Sequence, residues 1–200
     1  MKSLSILDLK PTQIAIGMLE VEYKVKELKR MTKSKLRTEI TKNPVEVVRA
    51  PNGDYYLVDG HHRTLACWLI GIRKLPVKVS HQFPRKMSFK SFWKKMKNDD
   101  WAYPYDATGA GPQDPLYLPP DIRAIGHDPY RSLSWLLREN GGYEDTEKTF
   151  LEFRWADFLR EHKVLDNDYD VDYKKGLKKA LKLCHKKSAE KLPGYNGKKH

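Results

Sequence analysis

Hydrophobic and polar positions in the first forty or so residues predict a short strand followed by one or two helices. The run LSILDL at residues 4–9 is compatible with a strand that ends at Pro11. From residue 17 to about 43 the chain is rich in Lys, Glu, Leu and Met. Four apolar or aromatic residues there fall near helical spacing: Leu19, Tyr23, Leu28 and Met31.

The pattern over residues 45–80 predicts strand, turn, strand, helix and strand. Residues 45–48 and 55–58 favour strands, and Asn52-Gly53-Asp54 joins them as a hairpin turn. A polar turn, DGHHR at residues 59–63, then leads into an apolar run at 65–70 that suits a helix. Alternating Leu75, Val77 and Val79 predict the last strand.

The pattern in the second half of the chain is mainly helical. Helices are predicted over residues 87–97, 132–139 and 150–162, and a basic amphipathic helix over 174–192. Residues 100–121 hold five prolines and two glycines, which predicts a long ordered loop. The last eight residues are expected to fray. Three aromatic residues are expected in the core rather than on a base-stacking surface: Phe153, Trp155 and Phe158.

Composition narrows the class of protein. The 200 residues are 32% charged and 40% hydrophobic, and no run approaches the apolar length of a membrane span. The N-terminus lacks the long apolar segment of a secretory signal. Cys67 and Cys184 lie far apart without metal-type spacing, so we expect a reducing, cytoplasmic setting.

The net charge of +12 is unevenly distributed. Residues 1–100 hold 21 Lys and Arg against 10 Asp and Glu, residues 101–165 hold 7 against 11, and residues 166–200 hold 10 against 5. A basic surface can attract nucleic acid, or it can simply be a well-solvated surface. Because no recognition helix is visible, we expect at most weak, sequence-independent DNA binding.

The turn at residues 59–63 carries the densest candidate chemistry. A helix that starts after Gly60 offers backbone N–H groups to an anion, and Arg63 can grip phosphate through two hydrogen bonds. Gly60, His61, His62, Arg63 and Thr64 are therefore predicted phosphate or nucleotide ligands. Either histidine could act as an acid or base, and His62 is the one predicted to move a proton. The other member of the pair is expected to pack in the core or face water.

Asp59 has two interpretations. It could hold Mg²⁺ or accept a proton, or it could simply cap the helix.

The segment from Asp128 to Ser132 also has two interpretations. Asp128 and Pro129 suit a helix start, while Arg131 could pair with phosphate or with an acid such as Asp106.

Several motifs together resemble the ParB/sulfiredoxin superfamily. They are Pro11-Thr12-Gln13, then the strand and turn from Tyr56 to Arg63, and Pro76-Val77. The downstream pattern resembles the branch labelled putative ParB-like nuclease, through segments that extend the resemblance to residues 5–160: Phe92-Trp93, Tyr105-Asp106, residues 128–133, Gly141-Gly142-Tyr143 and residues 152–158.

This resemblance implies an α/β fold around a small mixed sheet, with a nucleotide phosphate at the Gly-x-x-Arg turn. Partition proteins of the superfamily bind and hydrolyse CTP there, and sulfiredoxin uses ATP. A free-serine kinase branch has an Asp-Gly-Thr-His-Arg turn, from which this chain departs at His61. That branch places a catalytic glutamate on its first helix, which implies Glu20 or Glu22 as a base here. The alternative for these glutamates is a solvated pair with Lys24 or Lys26.

We interpret residues 1–165 as one α/β domain with added helices after residue 85, followed by a basic helix and tail at 166–200. The predicted activity is phosphoryl transfer or phosphodiester hydrolysis, with a nucleotide (ATP, ADP or CTP) and Mg²⁺ as cofactors. Asp59, His62 and Glu20 are the predicted catalytic residues, Asp59 the metal ligand, and Arg131 a further phosphate ligand. The competing hypothesis is a non-catalytic DNA-binding module that a bound nucleotide regulates.

Overall fold

The structure, a computed structural model, describes residues 2–148, 150–166 and 170–197. It is a mixed α/β fold. The strands of the described chain are β1 (Lys2–Ser5), β2 (Leu9–Pro11), β3 (Ala15–Ile16), β4 (Val45–Arg49), β5 (Tyr55–Asp59), β6 (Lys74–Gln82) and β7 (Gly126–His127). Its α-helices are α1 (Met18–Arg30), α2 (Lys33–Lys42), α3 (His61–Leu69), α4 (Phe89–Asn98), α5 (Pro129–Glu139), α6 (Leu151–Glu161) and α7 (Tyr173–Leu183).

The chain divides into two compact units. The first unit comprises Met1–Ile16 and Val21–Gly126, and the second comprises Gly17–Glu20 and His127–His200. The start of α1 therefore belongs to the second unit, while the rest of that helix belongs to the first. None of the described helices is long and apolar enough to span a membrane.

A mixed five-stranded sheet with the order β1-β6-β4-β5-β2 forms the centre of the first unit. Parallel pairs, β4 with β6 and β2 with β5, alternate with antiparallel ones. The single strand predicted over residues 4–9 is wrong in extent. A 3₁₀ turn at Ile6–Asp8 divides it, so that β1 and β2 pair at opposite edges of the sheet.

Residues 45–82 confirm the predicted order of strand, turn, strand, helix and strand. β4 and β5 form the expected antiparallel hairpin, and α3 connects β5 to β6. One sheet face packs against α4, where Phe92 and Met96 are buried beside Tyr56 and Phe83. The Phe92 ring lies 5.4 Å from that of Tyr56 and 5.0 Å from that of Phe83.

The second unit is a helical core built on α5, α6 and α7. Its buried side chains include Leu133, Trp155, Leu159 and Ala180. Tyr143 stacks on Trp155 with ring centroids 4.5 Å apart. Phe153, Trp155 and Phe158 are buried, which confirms their predicted place in the core.

The C-terminal residues differ from the expected frayed tail. The indole of Trp155 donates to the carbonyl of Pro193 at 2.8 Å, and Glu144 N–H donates to the Gly194 carbonyl at 2.8 Å. Asn196 donates to Gly141 O. Residues 193–196 are therefore held by hydrogen bonds, because the buried Trp155 N–H needs an acceptor. Residues 198–200 of the expected tail lie outside the described part of the chain.

Candidate functional site

The turn between β5 and α3 depends on a glycine. Gly60 has φ +86°, in the left-handed region, and a Cβ atom there would lie 3.1 Å from Cγ1 of Val45. Both facts favour glycine over any L side chain. The helix then begins at His61, as the sequence predicted, with Gly60 at the N-cap and no side-chain capping bond. Asp59 is exposed at the end of β5 and does not cap the helix, so that interpretation of Asp59 is wrong.

His61 is the buried member of the histidine pair, only 2% exposed. Its Nε2 accepts the backbone N–H of Thr12 at 3.1 Å, which requires an unprotonated Nε2. The Thr12 hydroxyl donates to the Leu57 carbonyl at 2.7 Å. These bonds hold the Pro11-Thr12-Gln13 segment against the turn. His62 is only partly buried, which leaves it the better placed of the two for proton transfer.

Arg63 is engaged by the end of α2. Its Nη1 lies 3.2 Å from the Glu39 carboxylate, and its Nη2 donates to the Glu39 carbonyl at 2.9 Å. The side chain is 20% exposed. Arg63 therefore links α2 to α3 in the structure, and its Nε is buried without a partner.

Unpartnered buried polar atoms gather on the segments that form this turn. Besides Arg63 Nε, they are Thr64 Oγ1 and Gln13 Oε1. Folded proteins satisfy most buried polar atoms, so each exception needs an explanation such as an unseen ligand or water. Thr64 is fully buried on α3.

A loop in the first unit also reaches the Pro11–Gln13 segment. Tyr103 N–H donates to the Thr12 carbonyl at 2.9 Å, and the Tyr103 and Tyr105 rings stack 4.1 Å apart. Asp106 organises the rest of the loop, where hydrogen bonds from the hydroxyl and N–H of Thr108 hold its pKa below the usual range. The predicted long ordered loop is confirmed.

The second unit holds Glu20 and Arg131, the two predicted site residues outside the turn. Arg131 is 4% exposed, with its guanidinium carbon 3.3 Å from the centre of the Phe153 ring and its Nη2 3.7 Å from Glu152. Nε and Nη1 of Arg131 are buried without partners. Its carboxylate neighbour is thus Glu152, while Asp106 binds within its own loop.

Glu20 is buried, so its interpretation as a solvated surface residue is wrong, whereas Glu22 is exposed. Burial of Arg138 lowers its pKa, but the nearby charges, with Glu152 first and Glu20 among them, outweigh burial. The pKa of Arg138 therefore lies above its usual value. Glu152 forms ion pairs with both Arg131, at 3.7 Å, and Arg138, at 2.5 Å.

Asp128 and Pro129 begin α5 as predicted. Asp128 Oδ1 accepts the N–H groups of Tyr130 and Arg131, and Pro129 occupies the first turn. The other carboxylate oxygen of Asp128, Oδ2, accepts a hydrogen bond from Arg160 Nη2 at 2.6 Å. Burial raises the pKa of Asp128 above its usual range, against the opposing charges of Arg160 and Arg131. The capping role predicted for Asp128 is confirmed.

Within the described ranges, no group of three or more His, Cys, Asp or Glu side chains is placed to hold a metal ion. A metal at Asp59 would therefore need ligands from outside the described side chains, such as phosphate oxygens or water. The structure places the six predicted turn residues, 59–64, in the first unit and Glu20 and Arg131 in the second.

Comparison with protein families identifies the chain. A family model described as Putative ParB-like nuclease matches residues 2–161. The chain belongs to this ParB-like family. The crystal structure of protein Atu1540 from Agrobacterium tumefaciens is similar to this ParB-like protein, with 34% identity and a TM-score of 0.87. The match covers 98% of this chain and 97% of that one. The search of curated proteins gave no match.

Sequence reasoning missed three neighbours of the ParB-like turn. Thr12 and Glu39 reach the turn from 49 and 24 residues away, and Tyr103 contacts the supporting segment. The Pro-x-Gln motif offered a signal for Thr12. Nothing in the local sequence around Glu39 points to Arg63.

Proposed function

We propose that this ParB-like protein binds the phosphate groups of a nucleotide at the β5–α3 turn and catalyses phosphate chemistry there. The observation that carries the proposal is a pair of buried, unpartnered hydrogen-bond donors at the turn, Arg63 Nε and the Thr64 hydroxyl. A ligand site explains such atoms, because leaving them unsatisfied costs stability without a compensating function.

The geometry of the turn suits an anion. Gly60 lets the backbone turn into α3 without a side chain over the helix start, and helix N-termini favour negative charge. Arg63 brings a guanidinium whose Nε is uncommitted, with Glu39 holding the other nitrogens in place. A phosphate would either accept a hydrogen bond from Nε or compete with Glu39 for Nη1 and Nη2.

Asp59 fits a magnesium ion that arrives with the nucleotide. Mg²⁺ in such sites commonly takes one or two carboxylates, with phosphate oxygens and waters completing its shell. Asp59 is exposed directly before the turn, and it does not cap the helix. The ion, when bound, would offset phosphate charge.

The reaction is phosphoryl transfer to a hydroxyl acceptor or hydrolysis of a phosphodiester. In both, a bond forms between the attacking oxygen and phosphorus while the bond to the leaving oxygen breaks. His62 would accept the proton of the attacking hydroxyl or water. His61 would act through Thr12 by positioning the Pro11–Gln13 segment, since its Nε2 already accepts that hydrogen bond.

Binding can be tested by thermal shift with ATP, ADP, CTP and GTP, each with and without Mg²⁺. A ligand at 100 times its dissociation constant adds about 2.7 kcal/mol to the free energy of unfolding. Arg63→Ala should remove the shift, while Arg37→Ala, an exposed change of the same charge on α2, should keep it.

A second variant separates binding from structure. Glu39→Gln removes the ion pair but leaves Arg63 in place. If Arg63 serves only to join α2 and α3, the two variants should lose nucleotide binding equally. Nucleotide shifts retained in Glu39→Gln and lost in Arg63→Ala support a phosphate contact.

Turnover decides between an enzyme and a nucleotide-regulated binding module. Asp59→Asn should keep nucleotide binding, because its shape is unchanged, and should abolish product formation. Assays with small hydroxyl acceptors and with plasmid DNA would distinguish transfer from hydrolysis. Nucleotide binding without product in any assay would favour the module.

A further inference from the structure

A basic surface lies at the end of β6 and along α4 in the first unit. Residues 81–98, which run from the end of β6 through α4, contain six Lys and Arg and no Asp or Glu. All six cations are exposed: Arg85, Lys86, Lys90, Lys94, Lys95 and Lys97. Within the described ion pairs, only Lys95 of these six meets an acid, Asp99. We call residues 81–98 the β6–α4 surface.

Two pockets on this surface share Phe83 in their linings. One, of about 260 Å³, is lined by polar groups that include Arg49, Arg85, Asn52 and Gln82. The other, of about 290 Å³, has an apolar lining that includes Phe83, Pro84 and Met87, with Lys94 and Lys95 beside it. One pocket therefore suits an anion, and its neighbour suits a flat apolar group with a cation at its edge.

Two aromatic side chains, His81 and Phe83, line the apolar pocket. The exposed ring of His81 lies 4.5 Å from Phe83 and 5.6 Å from the partly buried Trp101. Phe89, at the start of α4, is 44% exposed. Aromatic faces among Lys and Arg are the combination that binds unpaired bases, since any base can stack and the cations follow the phosphates.

We propose that the β6–α4 surface binds a single strand of nucleic acid. Phosphates lie along the exposed cations and in the pocket of Arg49 and Arg85. A base enters the apolar pocket and stacks at the His81 edge. This proposal does not rest on nucleotide binding at the β5–α3 turn, because it uses different residues.

The packing of α4 favours nucleic acid over a lipid surface. Phe92 and Met96, on the apolar side of this basic helix, are buried against Phe83 and Tyr56. They are thus unavailable for insertion between lipids, which is how a basic amphipathic helix binds a membrane. Unpaired bases are also favoured over a duplex, because the bases of a duplex are stacked on each other and cannot enter the pocket.

Fluorescence anisotropy with a labelled oligothymidylate of about twenty nucleotides tests the proposal. The duplex of a mixed sequence and anionic phosphatidylserine vesicles are the competing ligands. The triple variant Lys86→Ala, Lys90→Ala, Lys94→Ala should weaken single-strand binding at least about tenfold. It should also reduce the slope of log affinity against log salt by about 2, at about 0.7 per phosphate contact.

The matched control removes the same charge from exposed lysines of the same unit, on α2: Lys33→Ala, Lys35→Ala, Lys42→Ala. It should bind as the wild type does. His81→Ala should weaken the single strand at least about fivefold, by loss of stacking, and leave the weaker duplex binding unchanged. Circular dichroism and melting temperature should confirm that each variant is folded.

Equal losses from the α2 and β6–α4 triple variants would overturn the proposal, since general charge would then explain binding. A preference for duplex that is insensitive to His81→Ala, or binding to vesicles without binding to the oligonucleotide, would also overturn it. Arg63→Ala should leave single-strand binding intact. Failure of this surface and failure of the nucleotide site would therefore be seen separately.

Discussion

His61 and His62 are chemically identical neighbours that the fold sends to different environments. His61 lies on the buried side of the first turn of α3 and accepts the Thr12 N–H, whereas His62 remains partly exposed. The sequence predicted that one of the pair would pack, but it could not say which. The answer depends on Thr12, which is 49 residues away in the chain.

Arg131 and Glu152 form a buried ion pair in which Glu152 has a second partner, Arg138. Replacing one member should therefore cost a different amount of stability from replacing the other. Replacing Arg131 by Met leaves Glu152 with Arg138, so the cost in free energy of unfolding should stay at about 1–2 kcal/mol. Glu152→Gln leaves the buried Arg131 without its carboxylate and should cost about 3–5 kcal/mol. Urea unfolding of both variants measures the difference. A larger loss in Arg131→Met would show that Arg131, through its contact with Phe153, contributes mainly by packing.

Tyr56 should make the protein sensitive to alkali. Burial, with a smaller contribution from Asp54, raises the pKa of Tyr56 from the ordinary value of 10.0 to about 12. Between these pH values the folded state keeps a proton that the unfolded state loses. The stabilisation is therefore complete below pH 10 and is lost as pH rises to about 12, by about 2–3 kcal/mol.

Tyr56→Phe provides the test, because it keeps the buried ring and removes the titrating hydroxyl. Urea unfolding from about pH 9 to 12 should show a shallower loss of stability in the variant than in the wild type. Parallel curves for the two proteins would contradict the assignment to Tyr56.

At the scale of elements, the turn before α3 is the best predicted part of the candidate site. Strand-forming residues, a glycine and an apolar run follow one another in sequence, so local rules were sufficient for β5, the turn and α3. The split between β1 and β2 was missed, because it depends on each short strand finding a different edge of the sheet. The Arg63–Glu39 contact was missed for the same reason, since it joins two helices.

Gly60→Ala should lower the free energy of unfolding by more than the cost of placing an alanine at positive φ, because the added Cβ would also crowd Val45. Gly71 offers a matched control, because it has φ +92° and a Cβ added there would meet no atom within 4 Å, whereas a Cβ on Gly60 meets Val45 at 3.1 Å. Gly71→Ala should cost about 1–2 kcal/mol, and Gly60→Ala should cost more. Chemical denaturation measures both, and adding Val45→Ala to Gly60→Ala should recover part of the excess. Equal costs for the two glycines would exclude a role for Val45.

At the scale of the whole molecule, the basic character and the folded core are distributed differently along the chain. Most of the excess positive charge lies in the first hundred residues, which include the candidate nucleotide turn and the β6–α4 surface. The C-terminal segment is also basic, but its apolar side belongs to the second unit. Ala180, Leu183 and Cys184 are buried there with Leu133 and Trp155. Composition alone could reveal the charge of this segment but not its place in a core.

Deletion of the residues after 170 should therefore unfold the second unit rather than simply remove a charged tail. It would expose Leu133 and the Trp155 indole, whose N–H would lose its acceptor, Pro193 O. Each buried Leu is worth about 1.5–3 kcal/mol, so the loss should exceed about 5 kcal/mol, comparable to the stability of a whole domain.

The truncated protein should bind a hydrophobic dye and show red-shifted tryptophan fluorescence. The control is the full-length triple variant Lys174→Ala, Lys178→Ala, Lys182→Ala, which removes charge from exposed positions of α7 and keeps its buried side. It should melt as the wild type does. A truncated protein that melts like the wild type would contradict the prediction, and equal destabilisation of the truncation and the lysine variant would assign the contribution of the segment to charge rather than to packing.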